Sequence, residues 1–282
     1  MQNSVGISLF VTIVMLSRCS SLVTRRMLRP ATTVGSSSSS LSSTSNSGIA
    51  LNARNVREKI EAKCKELGRD PSEVLLVPVS KTKPNENIME LYNDGWRHFG
   101  ENYFQELLEK AEALPEDIVW HFIGHLQSGK ANRLLREVTN LGVVETVDTI
   151  KLANKLNTAC EAAERSEKLN IYIQVDTSGE DSKSGVSPGK GMVEMADTIK
   201  NDCKSLQITG LMTIGAPGDL TCFDKLVDCR KTLAAHWGVP TESLALSMGM
   251  SGDYLQAIER GSTSVRVGST IFGARDYPNK AK

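Results

Sequence analysis

The 282 residues are 40% hydrophobic, enough to bury one large core. Basic and acidic residues balance at 33 each, yet the first 57 residues hold six arginines and no acid, which leaves 27 bases against 33 acids, a net of −6, for the rest. An acidic body with only 5% aromatic residues argues against general nucleic-acid binding, which needs a basic face.

The acid-free start reads as a separate object. Residues 7–16, ISLFVTIVML, are too short an apolar run to span a bilayer. Arg18, Arg25, Arg26 and Arg29 follow among many serines, the composition of a transit segment addressed to a mitochondrion or plastid. A secretory signal is the second choice, because no basic residue precedes the apolar run. The third is an unstructured tail with no address, which would leave the chain in the cytoplasm. Residues 1–49 are therefore set apart from a folded domain at 50–282.

From residue 51 onward, Val56, Ile60, Cys64 and Leu67 recur at helical spacing up to Gly68, which marks an extra N-terminal helix. Strands are expected at 74–80, 97–100, 119–124, 143–147, 170–176, 207–214, 244–248 and 264–268. Helices are expected between them, at 86–93, 102–113, 130–138, 150–165, 190–203, 223–236 and 252–259, with a last short segment after the eighth strand. Such alternation implies a parallel sheet with right-handed crossovers, and eight units match a closed (β/α)8 TIM barrel. A doubly wound open sheet is the alternative, but no G-x-G-x-x-G follows the first strand. The six cysteines form no C-x-x-C pair, which fits buried thiols in a reducing compartment. Cys222 and Cys229, seven apart on one expected helix, read as core-facing.

In a barrel of this kind, side chains at the carboxyl ends of the strands form the site. On the expected register these are Lys81, Glu101, Asn102, His125, Asp176, Met212, Ser247 and Arg266. Lys81 ends the apolar run VLLVPV. A lysine at an apolar mouth is partly desolvated, which favours the neutral amine that attacks an aldehyde. Alternatively, it is a solvated strand end. The segments SMGMSG and VGST follow strands seven and eight, where many barrels hold a phosphate on backbone N–H groups. Ser247, Ser251, Ser269 and Thr270 can add hydroxyl donors, and Arg266 precedes Gly268 by two. The plainer reading is ordinary loop chemistry with Arg266 paired to a carboxylate. His121 and His125 have the spacing of a helical metal pair, but WHFIGHLQS reads as strand then loop, so no metal is expected there. His98 and His236 read as structural. The stretch from Asp176 to Gly185 reads as a polar turn, and Ser251 as a helix N-cap.

Seven motifs, VSKTKP, FGENYFQE, WHFIGHLQSGK, GEDSKSGV, GLMTIG, LSMGMSGDYLQAIERGSTSVRVG and IFGARDY, occur in this order. Together they resemble the pyridoxal phosphate homeostasis protein family, from about residue 51 to residue 277, and the family is similar to the barrel half of alanine racemase. The resemblance implies that Lys81 forms a Schiff base with pyridoxal 5′-phosphate and that Arg266 faces the pyridine nitrogen. It also implies that Ser247, Gly268 and Ser269 hold the phosphate, with Asn102 near the ring. One departure is Gly129 in LQSGK, where asparagine is expected. The implied function is carrying and buffering the cofactor without an established turnover. Apo-enzymes are the expected recipients and a monomer is the expected state, with no membrane partner. The alternatives are a racemase-like enzyme with a base from elsewhere, and a phosphate-ligand barrel in which Lys81 only pairs with an anion.

Overall fold

The computed structural model describes residues 48–180 and 184–274. The transit-like segment, the centre of GEDSKSGV at 181–183 and the tail from 275 lie outside those residues. Among the described residues eight strands follow in chain order: β1 (Leu75–Pro78), β2 (His98–Glu101), β3 (Val119–Phe122), β4 (Leu141–Val147), β5 (Leu169–Gln174), β6 (Leu206–Met212), β7 (Ala245–Ser247) and β8 (Ser264–Val267). All pair in parallel, and from β2 to β8 each neighbours the next in sequence. β8 then returns to β1, with Leu75 opposite Ser264 and Val77 opposite Arg266. β1 and β2 meet through a single bridge, Val79 to Gly100, and the Ser80 N–H donates to the Gly100 carbonyl at 3.0 Å. This is the expected (β/α)8 barrel.

The helices are α1 (Gly48–Glu66), α2 (Asn85–Asn93), α3 (Phe104–Ala113), α4 (Ala131–Glu137), α5 (Ile150–Ala162), α6 (Lys190–Asp202), α7 (Thr221–Trp237), α8 (Tyr254–Glu259) and α9 (Ser269–Phe272). α1 is the extra helix. It buries Ala50, Ala53, Val56, Ile60 and Cys64. Asn52 donates to the Ile271 carbonyl at 3.1 Å, and the Glu90 carboxylate accepts from the Ala50 N–H at 2.8 Å. α1 thus covers the seam between the first and last helices. The expected stripe runs one residue too far: Leu67 is 39% exposed, because the chain leaves the helix and turns at Gly68, whose φ is 67°.

Strand alternation sorts side chains into two layers. Phe99, Trp120, Phe122, Ile171, Leu211 and Leu246 point outward into the core beneath the helices. Burying a large side chain of this kind contributes roughly 1.5–3 kcal/mol. The inward layer holds a small apolar cluster of Val143, Tyr172 and Met212. His121, Glu145, Ser247 and Arg266 are also buried. Close approach of β6 to β7 requires Gly210, where a Cβ would stand 2.6 Å from the Ala245 carbonyl oxygen. Cys64, Cys160, Cys203, Cys222 and Cys229 are buried free thiols. Among the described residues no helix is long and apolar enough to cross a membrane.

Candidate functional site

A cavity of about 410 Å³ opens at the carboxyl ends of the strands. Val79, Met212, Ile214 and Met250 give it apolar walls, while Lys81, Asn102, Arg266, Gly268 and Ser269 supply polar groups. Five of the six residues expected to bind a cofactor therefore line one cavity.

Lys81 reaches it by parity. Val77 and Val79 face the barrel interior, so Lys81 continues inward while Ser80 points out. The turn that carries Lys81 is gripped from behind by one buried ammonium. Lys110 of α3 donates to the Ser80 carbonyl at 2.8 Å, to Glu101 at 2.7 Å and to Glu106 at 2.5 Å. The Ser80 hydroxyl donates to Glu101 at 2.6 Å, and the Thr82 N–H donates to Glu106 at 2.6 Å. Residues on both sides of Lys81 are thus anchored to the same cluster, and Thr82 is held at a φ of 62°. Glu101 was expected at the mouth by its place at a strand end. Parity puts it on the outer face of β2 instead, where burial pushes its carboxyl up to about 7 against the pull of Lys110.

Arg266 comes from the inward face of β8. It donates to the Thr213 carbonyl at 2.9 Å and to the Ser247 hydroxyl, and it stands 3.8 Å from the Glu145 carboxylate. Ser247 is fully buried and passes its single proton to Glu145 at 2.6 Å. That hydroxyl has no proton left for a phosphate, and Ser247 is not among the residues lining the cavity. Glu145 also accepts from His121 at 2.8 Å, and His121 meets His98 at 3.0 Å. Burial alone would raise the Glu145 pKa. The hydrogen bond and charge of His121, the Arg266 charge and the Ser247 hydroxyl outweigh burial and hold it below the usual carboxylate value. Burial pulls Arg266 below its usual range, and Glu145 pulls back.

At the other side of the mouth, backbone N–H groups of Gly268 and Thr270 converge on the Ser251 hydroxyl at 3.1 and 3.4 Å. Ser251 was expected to cap a helix. α8 instead starts at Tyr254 with Asp253 as its N-cap, and Ser251 turns toward the Gly268 loop. Gly249 makes that turn possible: its φ is 96°, and a Cβ there would stand 2.5 Å from Ala257.

These residues fit pyridoxal 5′-phosphate. With the cofactor bound, the Lys81 amine would serve its aldehyde, the small polar residues of the Gly268 loop its phosphate, and the Arg266 guanidinium its ring nitrogen. Asn102, in the same lining, adds a buried Oδ1 with no hydrogen-bond partner among the described residues, which leaves an acceptor available to a ligand. Other expectations sort differently. His121 lies inside the barrel and His125 is exposed near Asp148, at 3.8 Å, so the two do not share a face. Asp176 accepts from the N–H groups of Ser178 and Gly179 as a turn residue. Lys110 and Glu145 were missed. Each had a signal: Lys110 stands four residues after Glu106, and Glu145 interrupts the apolar strand LGVVETV.

Residues 51–276 match the family described as alanine racemase, N-terminal domain. The pyridoxal phosphate homeostasis protein of Mus musculus is 46% identical over 253 residues, covering 85% of this chain and 91% of that one. Its counterpart in Schizosaccharomyces pombe is 51% identical over 208 residues, covering 72% and 84%. The solved structure of PipY from Synechococcus elongatus with PLP bound is 31% identical with a TM-score of 0.62, covering 76% of this chain and all of that one. The chain belongs to the alanine racemase N-terminal domain family and, within it, to the pyridoxal phosphate homeostasis proteins.

Proposed function

We propose that the chain binds pyridoxal 5′-phosphate in the cavity at the barrel mouth, holds its aldehyde covalently on Lys81, and carries and buffers it for release to apo-enzymes. The observation that carries this reading is the convergence of Lys81, Arg266, Gly268 and Ser269 on one cavity. The PLP-bound relative supports it. When bound, the cofactor can act as an electron sink for carbanions. This chain's residues limit that chemistry. Arg266 keeps its proton, so a ring nitrogen facing it stays unprotonated and the sink is weakened. Among the described residues, no Asp, Glu, His, Tyr or Cys lines the cavity to serve as a second acid or base, and the one further lysine there, Lys83, is engaged with the Ala274 carbonyl at 2.7 Å. Ser251, Gly268 and Ser269, which line the cavity, are the groups left for the phosphate, whereas Ser247 lies outside that lining and supports Arg266.

The test is transfer without turnover. Protein loaded with the cofactor is mixed with a PLP-dependent apo-enzyme, and separately with a panel of amino acids. Regained apo-enzyme activity with no amino-acid conversion is expected. Conversion at ordinary enzyme rates, about 1 s⁻¹ or faster, favours the racemase-like alternative and overturns the carrier reading. A monomer is the proposed working unit. Residues 1–49 are proposed as a mitochondrial or plastid address, with the cytoplasm as the alternative. Fusing them to a fluorescent reporter tests the address: an organelle pattern supports it, and a diffuse signal contradicts it.

A further inference from the structure

A continuous line of polar side chains, half-buried at its first member and buried beyond it, crosses the barrel interior. It starts at His98, the first residue of β2, beside a second cavity at the amino ends of the strands that Arg57, Trp96 and Arg97 also line. It passes through His121 on β3, Glu145 on β4 and Ser247 on β7, and ends at Arg266 on β8, in the wall of the cofactor cavity. The steps between side chains are 3.0, 2.8 and 2.6 Å, followed by the contact of Ser247 with Arg266. We propose that this line positions the Arg266 guanidinium, with Glu145 and His121 as positioning residues, so that events at the amino mouth are felt at the cofactor. The proposal rests on the reading that pyridoxal 5′-phosphate occupies the cavity.

Three arguments carry it. Barrel interiors are ordinarily filled by branched apolar residues, and replacing buried ion pairs by such residues is often neutral or stabilising. A charged line here is therefore not needed for packing. Second, the proton inventory leaves Arg266 little freedom. Ser247 has one proton and gives it to Glu145, so it must accept from Arg266. The Thr213 carbonyl takes another guanidinium N–H. Third, Glu145 has both oxygens engaged: Oε1 accepts from His121, and Oε2 accepts from Ser247 and lies near Arg266. Rotating any one partner leaves a buried polar group unpaired, so the line moves as a unit.

The experiment uses the full chain loaded with pyridoxal 5′-phosphate. It compares wild type with Glu145→Gln, His121→Leu, His121→Asn and His98→Leu. Readouts are the visible absorbance spectrum of the bound cofactor, its dissociation constant and the melting temperature of the unloaded protein. Glu145→Gln and His121→Leu are expected to shift the spectrum and weaken binding roughly tenfold, the worth of one charge-assisted hydrogen bond. His121→Asn, which can still donate to Glu145, is expected to restore most of both. His98→Leu, at the far end, is expected to give a smaller shift of the same sign, and decides the matter if the inner variants fail to fold. Lower melting temperatures with unchanged spectra and affinities would overturn the proposal and leave the line structural. Wild-type protein that binds no cofactor would overturn the functional reading, and the proposal with it.

Discussion

Two buried charge clusters flank the strand wall, and they are built on opposite principles. The inner one balances Glu145 against Arg266, a group that does not give up its proton. The outer one balances Glu101 and Glu106 against Lys110, and its Glu101 is poised to take up a proton near neutrality. The first is a fixed charge aimed at the cavity, and the second is a compliant clamp on the turn that carries Lys81. A barrel can thus hold one side of a ligand rigidly while leaving the attaching residue on an adjustable support.

The largest effect is expected from breaking the rigid cluster. Glu145→Gln strands a buried guanidinium, and a loss of about 3–5 kcal/mol of stability is expected in urea denaturation. Lys110→Met should cost less, about 2 kcal/mol, because Glu101 can neutralise itself by holding its proton. Equal losses would erase the distinction between the clusters. The same difference should appear as opposing pH slopes. The folded state raises the Glu101 pKa from 4.5 to about 7, so it binds more protons than the unfolded chain across that window. Stability from this group is present in acid and falls as pH rises through about 7, by of order 1 kcal/mol per pH unit. Burial, then His121, lower His98 from 6.5 to about 4, so its contribution is lost as pH falls through that range. His98 is half-buried, so solvent screening makes its contribution the smaller. Denaturation series on Glu101→Gln and His98→Gln should each remove one slope and expose the other; a wild-type profile unchanged by both would contradict the assignment.

How much of this was legible follows from sequence distance. The eight strands stood out as apolar runs bounded by turn residues, and their expected ends overshoot only where single bridges or loop residues extend the pattern, as at Val79 and Ser80. Lys81 was readable because it ends such a run. Glu101 was misplaced because position at a strand end does not fix which face a side chain takes; alternation does, and one residue changes the face. Glu145 and Ser247 are 102 residues apart, and no local pattern joins them. Only the folded barrel brings His98, His121, Glu145, Ser247 and Arg266 into line. Ser251 misled for a related reason: its hydroxyl serves a loop 17 residues away instead of the helix beside it.

The central claim is that Lys81 carries the cofactor. Protein spanning residues 48–282, loaded with pyridoxal 5′-phosphate, would be reduced with borohydride and digested, with Lys81→Ala treated alongside. The expected result is a pyridoxyl group on the Lys81 peptide that is absent from the variant. A pyridoxyl group on another lysine, or on none, would contradict the claim.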